Sequence, residues 1–92
     1  MSHVVVRIPG PLRPFADGAE SLRVSGGTLS EIIAALGEQH PQLKARLLTP
    51  EGTLRPFVNV FVGRDNVRDL RGLDTVVADG AEVFILPAVA GG

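Results

Sequence analysis

The stretch from residue 28 to residue 39 constrains the fold more than any other part of the chain. Thr28 is followed three residues later by Glu31, which is the spacing of a capping box at the start of a helix. Apolar residues then recur three and four positions apart, so four side chains fall on one helical stripe: Leu29, Ile32, Ile33 and Leu36. Pro41 is unfavourable inside that helix, and it can instead open a second short helical turn that runs to Leu47. An amphipathic helix of this length must bury its stripe against other elements of the chain.

The remaining apolar segments are short and rich in β-branched residues, which favours strands. They are residues 4–8, 21–24, 57–62, 67–68 and 82–86. Alternation along the third segment directs Val58, Val60 and Val62 inward, toward the helix. The order strand, strand, helix, strand, short strand, strand predicts an α+β protein. We expect one mixed sheet of four to five strands, with the main helix packed across one face and the first and last strands side by side at its centre.

The connections between these segments are rich in turn-forming residues. Residues 9–19 contain three prolines and two glycines and are predicted to form a loop, with Leu12 and Phe15 tucked against the body. Three apolar residues in the irregular stretch before the last strand are predicted to anchor it from beneath: Leu70, Leu73 and Val76. Asp79 and Gly80 predict a turn into the last strand.

The composition of the chain excludes several kinds of site. Cysteine is absent from the sequence, which removes disulfides, thiolate metal sites and cysteine nucleophiles. His3 and His40 are the two histidines, and because they lie far apart in the sequence we expect no metal site. Nine basic residues balance ten acidic ones without a basic block, so we expect no nucleic-acid binding. Neither a long apolar run nor a signal-peptide pattern is found, so we expect no membrane association and a cytoplasmic location.

The last six residues combine an emerging strand with an ending of small residues. Pairing of the last strand should fade at Pro87, because proline lacks the N–H that a sheet ladder needs. We therefore divide the chain into a β-sheet domain, 1–86, and a flexible tail, 87–92. Six extended residues reach at most about 20 Å, which is long enough to bring the Gly92 carboxylate into another protein's active site. Two glycines suit acyl chemistry because no Cβ crowds the carbonyl, although small residues at a frayed end are also common.

Strand alternation predicts a partner-binding surface beside this tail. Phe84 and Leu86 point away from the helix, and Phe57 and Phe61 are predicted on the same outer face of the sheet. An exposed apolar patch of this kind often marks a docking site, and the alternative is that loops cover these side chains. A partner that encloses the tail would also contact the residues before its end: Pro87, Ala88, Val89, Ala90 and Gly91.

The element order and the ending Leu-Pro-Ala-Val-Ala-Gly-Gly at 86–92 resemble the ubiquitin-like sulfur carriers of the ThiS/MoaD family. The Asp-Gly turn, the apolar strand and the Gly-Gly end match that family's C-terminal signature, while Ala81 departs from the acidic residue that many members carry. Within the family, four stretches look most like the CysO-type carriers of a cysteine-biosynthesis pathway: 12–14, 57–59, 65–68 and 85–92. The resemblance implies a β-grasp fold.

The resemblance also implies that the chain is a protein co-substrate and not an enzyme. An E1-like enzyme would use ATP to adenylate the Gly92 carboxylate, and a sulfur donor would displace AMP to leave a thiocarboxylate. In the CysO-type pathway a pyridoxal-phosphate cysteine synthase supplies the acceptor, and a metalloprotease then releases cysteine from the carrier. The carrier itself is expected to bind no cofactor.

Other functions remain open at this point. In the small subunit of molybdopterin synthase, the same kind of tail inserts into a large catalytic subunit. A ubiquitin-like modifier would join Gly92 to lysines of target proteins, and a structural domain would make no use of its tail. The matches at 12–14 and 57–59 favour the carrier for cysteine synthesis.

Overall fold

The computed structural model describes residues 3–87, and within that range a mixed five-stranded sheet packs against a layer of helix. The strands are β1 (His3–Arg7), β2 (Ser21–Ser25), β3 (Gly27–Thr28), β4 (Val58–Val62), β5 (Asp65–Asn66), β6 (Val76–Val77) and β7 (Glu82–Pro87). The helices are α1 (Leu29–Gln39) and α2 (Pro41–Leu47). The main sheet has the order β2-β1-β7-β4-β5, and β3 pairs with β6 in a separate antiparallel ribbon.

Strand β7 lies at the centre of the main sheet, between β1 and β4. It runs parallel to β1, with Glu82 to Phe84 opposite Val5 to Arg7. It runs antiparallel to β4 over five residue pairs, which extend from Val62 opposite Val83 to Val58 opposite Pro87. The predicted adjacency of the first and last strands is therefore confirmed, and β7 continues one residue beyond the predicted strand to include Pro87.

Helix α1 begins as the sequence predicts. The Thr28 side chain accepts a hydrogen bond from the backbone N–H of Glu31 at 3.2 Å, and Glu31 Oε1 accepts one from the backbone N–H of Thr28 at 2.8 Å. This capping box satisfies donors that the first helical turn leaves without partners. All four residues of the predicted stripe are buried, and they share one core with the inward side chains of the strands, among them Val6, Val60 and Ile85.

The predicted loop at 9–19 contains a 3-10 helix over Gly10–Ala16. The prediction of a loop was wrong here because prolines are compatible with a first helical turn, whose N–H groups have no helical partner. Leu12 of this helix is buried in the hydrophobic core, and Phe15 packs against the same cluster of residues. The predicted anchoring role of these two residues is confirmed.

The stretch before β7 differs from the prediction in two ways. The short strand is Asp65–Asn66 and not 67–68. Asp65 and Asn66 pair with the end of β4, whereas Val67–Asp69 form a 3-10 turn. Leu70 and Val76 are exposed and so do not anchor the stretch, whereas Leu73 packs against the core. Val77 is buried in place of Val76, because the two residues of β6 point to opposite sides of the ribbon.

The predicted turn before the last strand is present. Gly80 has φ +78°, a conformation that L residues with a Cβ avoid, and its N–H donates to the carbonyl oxygen of His3 at 2.8 Å. The turn thus joins the start of β7 to the start of β1.

Candidate functional site

The predicted reactive group lies beyond the end of the described structure. Gly92 and the four residues before it, Ala88 to Gly91, fall outside residues 3–87. The structure does fix the base of the tail, because Pro87 is the last residue of β7 and lies opposite Val58 in the sheet. The candidate site is therefore the surface of the folded body that surrounds Pro87.

An aromatic pair lies on the outer face of the sheet, near this base. Phe61 of β4 is directly opposite Phe84 of β7, and both rings are half-buried. Directly opposed residues have Cβ atoms about 4.5–5.5 Å apart, so these two aromatic residues are neighbours on the sheet. Leu86, two residues further along β7, is 47% exposed, and Phe57, just before β4, is 64% exposed. We call Phe57, Phe61, Phe84 and Leu86 the outer-face patch, and its members are the four apolar residues that the sequence predicts for partner binding.

A salt bridge borders the outer-face patch on the side of β1. Arg7 Nε donates to Glu82 Oε2 at 2.8 Å, and Arg7 lies opposite Phe84 in the sheet. Both side chains are about half exposed, so the pair contributes little to stability. Its effect is to keep this border polar while leaving it without net charge.

A turn that presents Phe57 is held from behind by Arg68. Nη2 of Arg68 donates to the carbonyl oxygen of Arg55 at 2.7 Å and to that of Val58 at 2.8 Å. The N–H of Val58 also donates to the carbonyl oxygen of Arg55 at 3.0 Å. Because both ends of the turn bond to one guanidinium, the backbone around Phe57 is held in place although the residue is mostly exposed.

An open groove of about 640 Å³ lies beside Pro87. We call it the tail-base groove, and its walls include Leu12, Phe15, Arg46, Arg55, Phe57 and Pro87. The groove is therefore assembled from the 3-10 helix, α2, the turn before β4 and the end of β7. Phe57 belongs to both the groove and the outer-face patch, so the two surfaces are continuous.

Two arginines give the tail-base groove its charge. The guanidinium carbon of Arg46 lies 4.3 Å from the centroid of the Phe15 ring, which is a cation–π arrangement. Arg55 Nε donates to the carbonyl oxygen of Ala45 at 3.0 Å, which ties the second arginine to the end of α2. Sequence reasoning missed both residues, since neither lies in a motif or a strand.

The described residues contain neither a metal-binding cluster nor a membrane-spanning helix. Within residues 3–87, no group of three or more His, Asp or Glu side chains is placed to hold a metal ion. None of the helices in that range has the length and apolar character that crossing a bilayer requires.

Comparison with known proteins adds the family context. The ThiS family model matches residues 6–92. The chain is 45% identical to the sulfur carrier protein CysO of Mycobacterium tuberculosis, over 98% of this chain and 99% of the relative. Solved structures are similar as well, among them the following two. The Amycolatopsis orientalis BexX/CysO complex gives a TM-score of 0.90 at 44% identity, with 97% of this chain and 99% of that chain covered. The small archaeal modifier protein 1 from Methanosarcina acetivorans gives 0.84 at 31% identity, with 100% and 98% covered.

Proposed function

The chain belongs to the ThiS family and is a sulfur carrier protein with a ubiquitin-like β-grasp fold, and we propose that its Gly92 carboxylate is the group that carries the sulfur. The observation that carries this proposal is the extent of the family match, which runs through the Gly-Gly end to residue 92. The family match therefore includes Gly92, the residue whose carboxylate is proposed to carry the sulfur.

The proposed chemistry follows from the properties of a terminal carboxylate. An α-carboxyl group has a pKa of about 3.3–3.7, so at neutral pH it is an anion and a poor acyl donor. An E1-like enzyme would join the carboxylate oxygen to the α-phosphorus of ATP and release pyrophosphate. A sulfur donor would then attack the acyl carbon and expel AMP, which leaves a thiocarboxylate. ATP belongs to the enzyme's site and not to the carrier, and its supply favours the cytoplasm for this reaction.

The proposed destination of the sulfur is cysteine. A pyridoxal-phosphate cysteine synthase would present an acceptor to the thiocarboxylate, and a metalloprotease would release cysteine from the carrier's end. The overall identity to a CysO carrier, together with the resemblance to such carriers at 57–59, supports this pathway over that of molybdopterin.

We further propose that the outer-face patch docks the E1-like enzyme. Leu86 and Phe57 expose about half or more of their surface near the base of the tail, and Leu86 follows Phe84 on the same face of β7. Exposed apolar surface of this kind gains free energy when a partner covers it.

Intact mass spectrometry tests the central proposal. The carrier is incubated with its E1-like enzyme, ATP and a sulfur donor, and the expected product has gained the mass of one oxygen-to-sulfur exchange. A variant that lacks only Gly92 keeps the folded body and should stay unmodified. An unchanged wild-type mass, or equal modification of the truncated variant, would contradict the proposal.

A second experiment separates the pathways. The purified thiocarboxylate is offered to the cysteine synthase with its metalloprotease, and separately to a molybdopterin synthase large subunit. Free cysteine from the first mixture supports the proposed pathway, whereas product from the second supports the molybdopterin function.

A protein modifier is the second candidate, because the chain is also similar to a small archaeal modifier protein over its full length. That function predicts covalent adducts between Gly92 and lysines of target proteins. Such adducts would appear as higher-mass bands that carry the carrier's peptides, and they would require no cysteine synthase.

A further inference from the structure

We propose that the tail-base groove is a second contact surface for the adenylating enzyme, and that it receives an acidic segment with an apolar side chain from the entrance of that enzyme's active site. The inference rests on the proposed activation of Gly92, and it goes beyond the outer-face patch because it assigns a role to Arg46 and Arg55.

The length of the tail limits the distance between the groove and an enzyme that reacts with Gly92. Five residues follow Pro87, and a fully extended chain advances at most about 3.3–3.6 Å per residue, so Gly92 lies no more than about 18 Å from the base. An enzyme that reacts with the Gly92 carboxylate must therefore approach the surface around Pro87 closely. Pro87 is itself a wall of the groove, so the groove lies at the entrance of the enzyme's site.

The charge of the groove indicates what it binds. Among residues 3–87, the two ion pairs are Arg7–Glu82 and His40–Asp17, so neither Arg46 nor Arg55 has a carboxylate within 4.0 Å in that part of the chain. A guanidinium is well suited to bind a carboxylate through paired N–H donors.

The two arginines are also held in place before any partner arrives. Arg46 stacks on Phe15, and Arg55 bonds to the carbonyl oxygen of Ala45. A side chain that is already ordered in the free protein loses less conformational entropy when a partner binds. An acidic partner segment would therefore find two positioned guanidinium groups.

The apolar walls distinguish the enzyme from other occupants. Leu12, Phe15 and Phe57 line a groove of about 640 Å³. The chain's own residues 88–92 offer no side chain larger than valine and a single carboxylate for two arginines, so they match the groove poorly. A segment with a large apolar side chain between acidic residues complements both the walls and the charge. Continuity through Phe57 would let one partner cover the groove and the outer-face patch together.

Charge-reversal variants test the proposal with the E1-like enzyme as the probe. ATP–pyrophosphate exchange is measured with the carrier as the varied substrate, at low and high salt. In Arg46→Glu, and more strongly in Arg46→Glu/Arg55→Glu, KM for the carrier should rise about tenfold or more because like charges now meet. The value of kcat at saturation should change less than about twofold, since the tail is intact. Added salt should raise KM of the wild type and lower that of the double variant.

The controls reverse exposed arginines elsewhere on the body. Arg23→Glu on β2 and Arg64→Glu in the turn after β4 each change the net charge by as much as Arg46→Glu, and together by as much as the double variant, and neither residue lines the groove. Arg46→Gln, which removes the charge without reversing it, should give an intermediate KM. Thermal melting of each variant checks the fold, and Arg46→Glu alone decides the question if loss of the Arg55 hydrogen bond lowers stability.

Several outcomes would overturn the proposal. Groove variants with the KM of the Arg23 and Arg64 controls would show that the enzyme does not use the groove. A lower KM would show that the groove holds the chain's own carboxylate end, and a monomer–dimer change in sedimentation would show that it holds a second copy. If the enzyme supports no pyrophosphate exchange with the wild-type carrier, the proposed function fails as well. Exchange that is normal in every variant refutes the groove alone.

Discussion

Leu86 and Leu70 form a matched pair for testing the outer-face patch. The two residues have the same type and the same exposure, 47%, but Leu86 lies on β7 next to the base of the tail and Leu70 lies on the connection from β5 to β6. If apolar surface on the sheet is what the E1-like enzyme covers, then Leu86→Ala should weaken binding and Leu70→Ala should not.

The expected magnitude follows from the exposed fraction. Burying a leucine side chain fully contributes about 1.5–3 kcal/mol. Because 47% of Leu86 is still exposed in the free carrier, about half of that, or about 0.7–1.4 kcal/mol, is available to a partner. This corresponds to an increase in Kd of about 3- to 10-fold. The same reasoning for Phe57, which is 64% exposed, gives about 1–2 kcal/mol for Phe57→Ala.

The assay is a calorimetric titration of the E1-like enzyme with each carrier variant, together with thermal melting of the free variants. Leu86→Ala and Leu70→Ala should lose similar stability, because the two leucines bury the same fraction of their surface. Val76→Ala, at a residue that is 74% exposed on the separate β3–β6 ribbon, is a further control. An equal Kd for Leu86→Ala and Leu70→Ala would refute the assignment of the docking site to the outer face of the sheet.

Two further predictions concern the body that supports the site, and urea unfolding measures both. Thr28→Ala removes the capping box and should lower the free energy of unfolding by about 1 kcal/mol, whereas the exposed Ser30→Ala should change it by about 0.5 kcal/mol or less; equal midpoints would contradict a role for the cap. Gly80→Ala forces a Cβ into φ +78° and should cost about 1–2 kcal/mol, whereas Gly10→Ala, with open space around its Cβ and no positive φ, should cost less. A Gly80→Ala variant as stable as Gly10→Ala would show that the turn relaxes without penalty.

The parts of the fold that the sequence predicts well are those with local signals. The capping box and the apolar stripe of α1 lie within one stretch of residues, and Thr28 and Leu36 occupy the predicted positions. At Gly10–Ala16 the prolines predict a loop, but burial of Leu12 and Ala16 holds the segment against the core as a 3-10 helix. The exposure of Val76 depends on its pairing with Thr28. Because Thr28 is far away in the sequence, the residues around Val76 do not predict this pairing.

The candidate site divides in the same way. The outer-face patch could be predicted because alternation along β4 and β7 is a local property, and the register then places Phe61 opposite Phe84. The tail-base groove could not, since its walls come from four separate segments, and Arg46 and Arg55 meet in it only after the chain has folded. Gly92 lies outside the described residues, and its proposed reaction is inferred from the family match.

The central position of β7 has a mechanical consequence. An enzyme that draws in the C-terminus exerts tension along β7, whose bonds to β1 and β4 run across the direction of pull. Such bonds are loaded in shear and must yield together, whereas a strand peeled from its end loses them one at a time. If a partner enzyme pulls on the C-terminus, the bonds to both neighbouring strands would therefore resist the extraction of β7 together.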